Sequence, residues 1–335
     1  MRIGILTPRS TGSDGEVCRV AVAQERELQR LGHEVVMGED SLRSRACEIL
    51  HVFHGGDELP SIPAPEEGAP PTVLFAHGEV DSGLRSIIDR LDRVVVPSRL
   101  HLVRLADELE FKPLQVRLLE PGLDLELPSQ HRRPRPWSGS GTLQLLVLGG
   151  REDREGLISL ARAVATLPAG SVRLTVPGPR DLLFDELLEG LVGEESFHAC
   201  GVVDEAGLAS LAADCHLAVF PSTRPESYAL PVDVAVALGL PVWASGAEAA
   251  LERYDAGALE LLPAADPDTW SLALREWLDE PRLTRDAFRA LPDAVPTAAD
   301  SAATLERWDQ ELLTEFRARP RRRTPNSGRD RHRPA

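Results

Sequence analysis

Residues 217–245 read LAVFPSTRPESYALPVDVAVALGLPVWAS and contain two apolar runs, separated by a loop and a short helical pattern. The runs at 217–220 and 241–244 have the length and the apolar content of buried strands. The segment 230–238 between them is long enough to form a helix, and Pro231 suits the first turn of that helix. A strand, a helix and a second strand in this order predict a βαβ unit with parallel strands.

The same alternation extends from this unit to both ends of the chain. The first series has strand candidates at 2–6, 34–37, 49–53, 72–76, 93–96 and 115–119, with helices at 17–31, 84–91 and 100–109. The second series has strand candidates at 143–148, 172–176, 196–198, 217–220, 241–244 and 259–262, with helices at 156–167, 181–191, 205–213, 230–238 and 268–278. This alternation predicts an α/β protein with parallel sheets.

Residues 120–142 interrupt the rhythm with a high density of Pro and Gly, which is typical of a linker. We therefore predict two Rossmann-like doubly wound domains facing each other across a cleft, at 1–120 and 143–296, joined by a linker at 121–142. We expect a helix at 297–316 to pack back on the first domain. The arginine-rich and proline-rich tail at 317–335 is expected to be disordered. Ligands of doubly wound sheets bind beyond the carboxyl ends of the strands.

The composition argues against several classes of function. The formal net charge is −16 at pH 7, from 53 acidic against 37 basic residues. Nucleic-acid binding needs a basic face, so we expect no nucleic-acid partner. No apolar run approaches the ~18–20 residues of a membrane span, and no signal peptide precedes the first strand, which predicts a cytoplasmic protein. The basic tail is compatible with peripheral contact to an anionic membrane, although a solvated tail is the simpler interpretation.

Short motifs in both series resemble the retaining glycosyltransferases of the GT-B fold, in the glycogen-synthase-like group 1 family. In the quoted stretch they are FPS at 220–222, PESYAL at 225–230 and ALGLPVWAS at 237–245. Elsewhere they are RLGHEV at 30–35, HG at 77–78, DRVVVPS at 92–98, PGLD at 121–124, GR at 150–151, VPGP at 176–179 and FHACGV at 197–202. Each motif is weakly specific, but their order and spacing cover roughly residues 1–316.

The resemblance implies a bacterial enzyme that transfers a hexose from a nucleotide diphosphate sugar to an acceptor. The first domain would bind the acceptor and the second the nucleotide sugar. No cofactor or metal is implied, and the four cysteines lack metal-ligand spacing. No motif in the chain specifies the donor base, the sugar, the acceptor or the oligomeric state.

In this family an arginine, and a lysine shortly after it, grip the donor diphosphate. Arg151, which follows Gly150 after a predicted strand, matches the arginine. Glu155 stands where the lysine is expected, in a loop that is one residue shorter. Arg154 is a candidate substitute, because a guanidinium also clamps phosphate. The alternative for both arginines is an ordinary surface charge.

The family also carries two glutamates eight residues apart, of which the first faces the donor sugar and the second holds the ribose hydroxyls. Glu226 matches the first, but Val234 stands at the second position and cannot accept a hydrogen bond. Asp233 lies about 100° around the helix from that position and would replace it only if the helix start is shifted. The alternative for Glu226 is a carboxylate that complements a helix N-terminus.

Four residues between Glu226 and the helix stand where the family has a glycine-rich loop. Their backbone N–H groups are candidates for phosphate binding at a helix start. Ala229 is small enough for a close ligand approach, and Tyr228 is better interpreted as a packing residue. The four residues are Ser227, Tyr228, Ala229 and Leu230.

Two positions in the first domain match family positions near the reaction centre. Gly15 belongs to the loop 11–16, which resembles the family's glycine loop near the donor phosphate. His77 follows a predicted strand, and a histidine there donates a hydrogen bond to a sugar hydroxyl or to the leaving group. The alternative is a strand-end histidine bonded to backbone.

Two functions therefore remain open from the sequence. The first is an active glycosyltransferase in which His77 and Glu226 act at the reaction centre. The second is a non-catalytic GT-B-like binding or scaffold protein, because Glu155 and Val234 both depart from the donor-site motif. A Rossmann oxidoreductase is disfavoured, since no G-x-G-x-x-G motif follows a strand with an acidic residue about 20 positions on.

Overall fold

The computed structural model describes residues 1–8, 16–38, 47–55, 62, 69–109, 115–128, 132–149, 151 and 153–318. Within these residues the chain forms two six-stranded sheets, and every neighbouring pair of strands is parallel. The predicted α/β fold with two doubly wound sheets is thus confirmed. Among the described residues, no helix has the length and apolar character that crossing a bilayer would require.

The first sheet has the strand order β2-β1-β3-β4-β5-β6. Its strands are β1 Arg2–Leu6, β2 Glu34–Met37, β3 Ile49–His54, β4 Thr72–Ala76, β5 Arg93–Val96 and β6 Val116–Leu118. Its helices are α1 Glu16–Arg30, α2 Ser82–Ile87 and α3 Arg99–Ala106. Ser98 caps α3, since its side chain accepts from the His101 N–H.

The second sheet has the strand order β12-β11-β10-β7-β8-β9. Its strands are β7 Leu143–Val147, β8 Val172–Pro177, β9 Phe197–Gly201, β10 Leu217–Pro221, β11 Val242–Ser245 and β12 Leu259–Leu261. The helices of this half are α4 Arg154–Ala165, α5 Leu182–Val192, α6 Glu205–Ala212, α7 Leu230–Ala237, α8 Pro267–Asp279, α9 Arg282–Arg289 and α10 Ala298–Ala318. The order reverses between β7 and β10, which opens a crevice at their carboxyl ends.

Most predicted elements agree with the structure to within two or three residues, but α9 was missed. The sequence of α9 is RLTRDAFR, and Thr284 and Ala287 are its buried residues. Its apolar residues Leu283, Ala287 and Phe288 lie at helical spacing, but eight residues are too few to specify a helix by themselves, so tertiary packing decides the conformation. The 3-10 helix Glu248–Glu252 was also missed, because its 5 residues are too few to show a helical period.

The chain crosses between the two halves at two adjacent segments. Leu123 N–H donates to the Pro296 carbonyl at 2.8 Å, and Ala298 N–H donates to the Leu123 carbonyl at 3.1 Å. Gly122 has φ +71°, and a Cβ there would lie 2.2 Å from the Thr297 carbonyl oxygen, so only glycine fits this contact. After the second crossing, α10 packs on α1 and on the first sheet.

Candidate functional site

The loops that follow β7 and β10 are joined by one side chain. Asp153 Oδ1 accepts from the Gly156 N–H at 3.0 Å and so caps α4. Its Oδ2 accepts from both the N–H and the hydroxyl of Thr223, each at 2.6 Å. These hydrogen bonds lower the pKa of Asp153. The crevice predicted from the strand order is therefore bounded by two loops of fixed relative position.

Arg151 lies in the first of these loops and is buried. Its Nη1 donates to Asp185 Oδ1 at 2.7 Å, and its side chain is 9% exposed. Its Nε and Nη2 have no hydrogen-bond partner among the described residues. Arg154 behaves differently, because its side chain is 60% exposed, pairs with Asp181 and lies over the Phe184 ring. Gly150 lies outside the described residues, as does Gly15.

Glu226 lies in the second loop, where several contacts hold it. Its N–H donates to the Gly246 carbonyl at 2.7 Å, and its Oε1 accepts from the Ser222 hydroxyl at 3.0 Å. Arg104 of the first half donates to the Glu226 carbonyl at 3.3 Å. A carboxylate held in this way stays beside the crevice without further rearrangement.

The four residues after Glu226 connect the two halves. The Ser98 hydroxyl donates to the Ser227 carbonyl at 2.7 Å across the interface. Tyr228 and Leu230 are buried in the apolar core of the first half. Ala229 is left-handed, with φ +66° and ψ +58°, at the start of α7. That conformation favours glycine, so this segment keeps a glycine-type turn even though the residue is alanine.

Asp233 is fully buried in α7, where it has three donors. Its Oδ1 accepts from Arg253 Nε at 3.1 Å, from Arg253 Nη2 at 3.0 Å and from the Tyr254 hydroxyl at 2.7 Å. Arg253 also lies 3.6 Å from the Tyr228 ring centroid and donates to the Tyr228 carbonyl. The predicted role of Asp233 in holding a ribose stays a prediction, and Arg253 would compete for the same oxygen. Val234, one residue on, packs against the cores of both halves.

Glu16 is a site residue that sequence analysis did not single out. It begins α1 in the first half, and its Oε2 accepts from the Leu230 N–H at the start of α7, at 3.2 Å. Burial, and next the charge of Glu226, raise the pKa of Glu16 to about 8. The carboxyl thus lies at the junction of the two halves, beside the segment 227–230. A contact across 214 residues leaves no sequence signal that could have revealed it.

His77 follows β4 at the carboxyl edge of the first sheet. Its backbone N–H donates to the His54 carbonyl at 2.8 Å, and its ring stacks on Phe53. Burial, and next the charges of His101 and His54, lower the pKa of His77 to about 3, so its imidazole is neutral at pH 7. The ring lines a cavity between the sheet, α1 and α10. Its Nδ1 has no hydrogen-bond partner in the described part of the chain.

The structure therefore gathers Glu226 and the segment 227–230 in one group and places Arg151 in another, while His77 lines a separate cavity. Glu226 and the segment 227–230 adjoin Glu16, whereas Arg151 pairs with Asp185 one strand away. Asp153 links the loops that carry the two groups. Within the described ranges, no group of three or more His, Cys, Asp or Glu side chains is arranged to hold a metal ion.

Comparison with known proteins supports the fold. No family model matches the sequence, and the search of curated proteins found no match. The structure is similar to sucrose-phosphate synthase from Thermosynechococcus elongatus, with a TM-score of 0.69 and 15% identity over 94% of this chain and 99% of that one. It is also similar to Anabaena HepE in complex with UDP, with a TM-score of 0.66 and 13% identity over 94% and 100% of the two chains. WaaG, a glycosyltransferase involved in lipopolysaccharide biosynthesis, matches with a TM-score of 0.63 and 14% identity over 95% and 100%.

These similarities extend over both sheets, so the chain has the GT-B fold. At this level of identity the likeness establishes the fold alone. The predicted GT-B architecture is thereby confirmed.

Proposed function

We propose that the protein is a retaining glycosyltransferase that moves a hexose from a nucleoside diphosphate sugar to an acceptor. The observation that carries the proposal is the buried Arg151 guanidinium beside the crevice, with Nε and Nη2 unpaired among the described residues. A buried donor without an acceptor is destabilising by about 1–3 kcal/mol. A phosphate would supply that acceptor and would explain why a cation is kept there.

The proposed reaction breaks the bond between the sugar C1 and the diphosphate oxygen. A bond from the acceptor oxygen to C1 forms on the same face of the sugar, and the acceptor proton leaves with the diphosphate. Arg151 would stabilise the negative charge that develops on the leaving group. Glu226 would orient the sugar hydroxyls. The neutral ring of His77 would exchange hydrogen bonds with the sugar or the leaving group from the opposite half.

Similar structures suggest which donor to test first. The HepE structures contain UDP and, in one case, UDP-glucose. We therefore propose a uridine nucleotide as the first candidate donor, to be compared with guanosine, adenosine and thymidine diphosphates. A ligand that binds the folded state alone raises the melting temperature by mass action.

The deciding experiment has two stages. Thermal unfolding of the whole protein is measured with UDP, GDP, ADP and TDP, and the stabilising nucleotide is then supplied as its sugar conjugate. We expect one nucleotide to raise the melting temperature. When its sugar conjugate is supplied, sugar transfer or slow hydrolysis of the donor should release the same nucleotide. If no nucleotide shifts the transition at millimolar concentration, the proposal is wrong.

A second candidate function is a non-catalytic GT-B binding protein, and the position of Glu16 favours it. Its carboxyl occupies the Leu230 N–H and has Glu226 as a neighbour, so a diphosphate would meet the charge of Glu226 and an N–H that is already bonded. Glu155 and Val234 add to the same interpretation. A Glu16→Ala variant distinguishes the candidates. Nucleotide affinity rises in this variant if Glu16 obstructs a donor site, and stays absent if the cleft has lost that role.

A further inference from the structure

Asp185 and Arg151 form a buried ion pair that leaves one edge of the guanidinium unused. Asp185 Oδ1 accepts from Arg151 Nη1 alone, and the two side chains are 5% and 9% exposed. The nitrogens without partners in the described chain, Nε and Nη2, share the side-on edge of the guanidinium. Their N–H bonds run nearly parallel and match two oxygens of one phosphate. A complete bidentate donor therefore lies in the loop after β7, with both nitrogens shielded from solvent in this structure.

The local charge count also favours an anion. Asp185 Oδ2 accepts from Arg180 Nε at 2.6 Å, so one carboxylate serves two guanidiniums. One positive charge remains at this group, and Arg151 is its buried member. A buried charge is unfavourable unless it is paired and hydrogen-bonded. An anionic group on the free edge of Arg151 would complete the balance.

The stem of Arg151 is held as firmly as its tip. Gly178 has φ +123°, and a Cβ at this position would lie 3.0 Å from Arg151 Cδ and 3.5 Å from its Nε. The backbone at Gly178 therefore lies against the arginine stem, while Asp185 holds Nη1. With both ends held, the Nε–Nη2 edge has one orientation, which is the condition for preorganised phosphate binding.

We infer that Asp185 is a positioning residue, which binds Arg151 through Nη1 so that Nε and Nη2 face one phosphate of a nucleoside diphosphate. The inference rests on the proposed function and adds a residue that does not itself touch the ligand. Its carboxylate would repel a phosphate, but two guanidiniums neutralise it. Asp185 lies in the first turn of α5, whose start is capped by Asp181, so a rigid element supports the pair.

Calorimetric titration of the whole protein with UDP, and with inorganic pyrophosphate, tests this role. The proteins compared are the wild type, Asp185→Asn, Arg151→Ala and the double variant. We expect Asp185→Asn to weaken pyrophosphate binding about tenfold, which is within the usual range for coupled groups. In the Arg151→Ala background the same substitution should have no further effect, because Asp185 acts through Arg151. Asp286→Asn, which alters an exposed pair with Arg289, is the control.

The titrations separate the positioning role of Asp185 from the proposed function. If the wild type and Asp185→Asn bind pyrophosphate equally well, the positioning role is wrong. It is also wrong if Asp185→Asn weakens binding by the same factor in the Arg151→Ala background as in the wild type. In both cases the proposed function stands. If the wild type binds neither probe and none of GDP, ADP and TDP, both are wrong. Should Asp185→Asn fail to fold by circular dichroism, Asp185→Glu replaces it. This variant keeps the charge but displaces it by one methylene, and unchanged affinity in it would overturn the positioning role.

Discussion

At the residue scale, the acidic side chains around the crevice differ in how their charge is compensated. Asp233 is paired with Arg253, and Asp185 with two arginines. For Glu16, burial and the charge of Glu226 outweigh the Leu230 N–H and the charge of Arg19, so its pKa is raised. The proton that Glu16 retains in the folded state is therefore the pH-sensitive feature of this region.

The pH dependence of stability follows from that proton. The pKa of Glu16 is raised from 4.5 to about 8, so between these values the folded state binds a proton that the unfolded chain has released. Stability therefore falls as the pH rises through this window, by at most about 1.4 kcal/mol per pH unit. Besides Glu226, the charged groups that act on Glu16 are Asp233 and Arg19.

We expect Glu16→Gln to remove this part of the pH dependence. Urea unfolding at pH 5 and pH 8 should show the variant gaining stability relative to the wild type at the higher pH. Glu25→Gln, on the same helix, is the matched control and should follow the wild type. Parallel pH profiles for Glu16→Gln and the wild type would show that the raised pKa is wrong.

The proposed catalytic roles make a second prediction at this scale. Arg151→Ala and Glu226→Ala should each abolish sugar transfer. The first removes the two N–H groups that would donate to the phosphate, and the second removes the carboxylate that would accept from the sugar hydroxyls. Circular dichroism should show an intact fold in both. Arg224→Ala, in the same loop as Glu226, is the control for the loop itself. Full activity in either variant would remove that residue from the mechanism.

At the scale of elements, the crevice depends on how closely α4 approaches β10. A Cβ at Gly156 would lie 1.6 Å from the Pro221 carbonyl oxygen, so the start of α4 touches the strand end directly. Asp153 caps α4 and holds Thr223 from the same place. The first turn of α4 thus sets the distance between the loops that carry Arg151 and Glu226.

Gly156→Ala should therefore move the helix start and weaken both folding and nucleotide binding. A forced backbone shift of this kind is destabilising by about 1–3 kcal/mol. Gly190→Ala is the matched control, since a Cβ there meets nothing within 4 Å and lies inside α5. That control should be stabilised by roughly 0.5–1 kcal/mol. Urea unfolding of the two variants gives opposite signs if the close approach is real.

At the scale of the whole molecule, each half places a glutamate at a helix start of the other. Glu16 of the first half accepts from the N–H of Leu230 at the start of α7. Glu252 of the second half accepts from the N–H groups of Arg99 and Leu100 at the start of α3, at 2.9 and 2.7 Å. Both carboxyl groups accept from backbone N–H groups at helix starts, which otherwise lack a partner within the helix. The relative position of the halves is thus held by reciprocal polar contacts around the cleft.

The last helix joins the halves in a second way. Asp309 of α10 lies 3.0 Å from His51 Nε2, and Gln24 lies 2.8 Å from His51 Nδ1, all in the buried core of the first half. Asp309→Ala would leave His51 without this acceptor and should lower the free energy of unfolding by about 1–3 kcal/mol. Glu311→Ala, on the exposed face of the same helix, should change it by less than about 0.5 kcal/mol. Equal effects in urea unfolding would contradict the role of the buried pair.

The sequence by itself determined the layered architecture. The spacing of apolar residues that marks a strand or a helix is set by neighbouring residues, and in a parallel α/β fold the two patterns alternate along the chain. It also determined where the strand ends lie, and hence that Arg151 and Glu226 belong to loops at one edge of a sheet. The start of α7 at Leu230 agrees with the predicted helix for the same reason, because Pro231 and the following apolar residues specify it.

Only the tertiary structure decided what those residues meet. Glu16 reaches Leu230 across 214 residues, and Arg151 meets Asp185 across 34, and neither separation corresponds to a local period. Side-chain pairing and burial depend on how the two halves and their helices pack, which no short window of sequence contains. The fold is consequently a property of local pattern, whereas the charge state and the free donors of the site are properties of the assembled molecule.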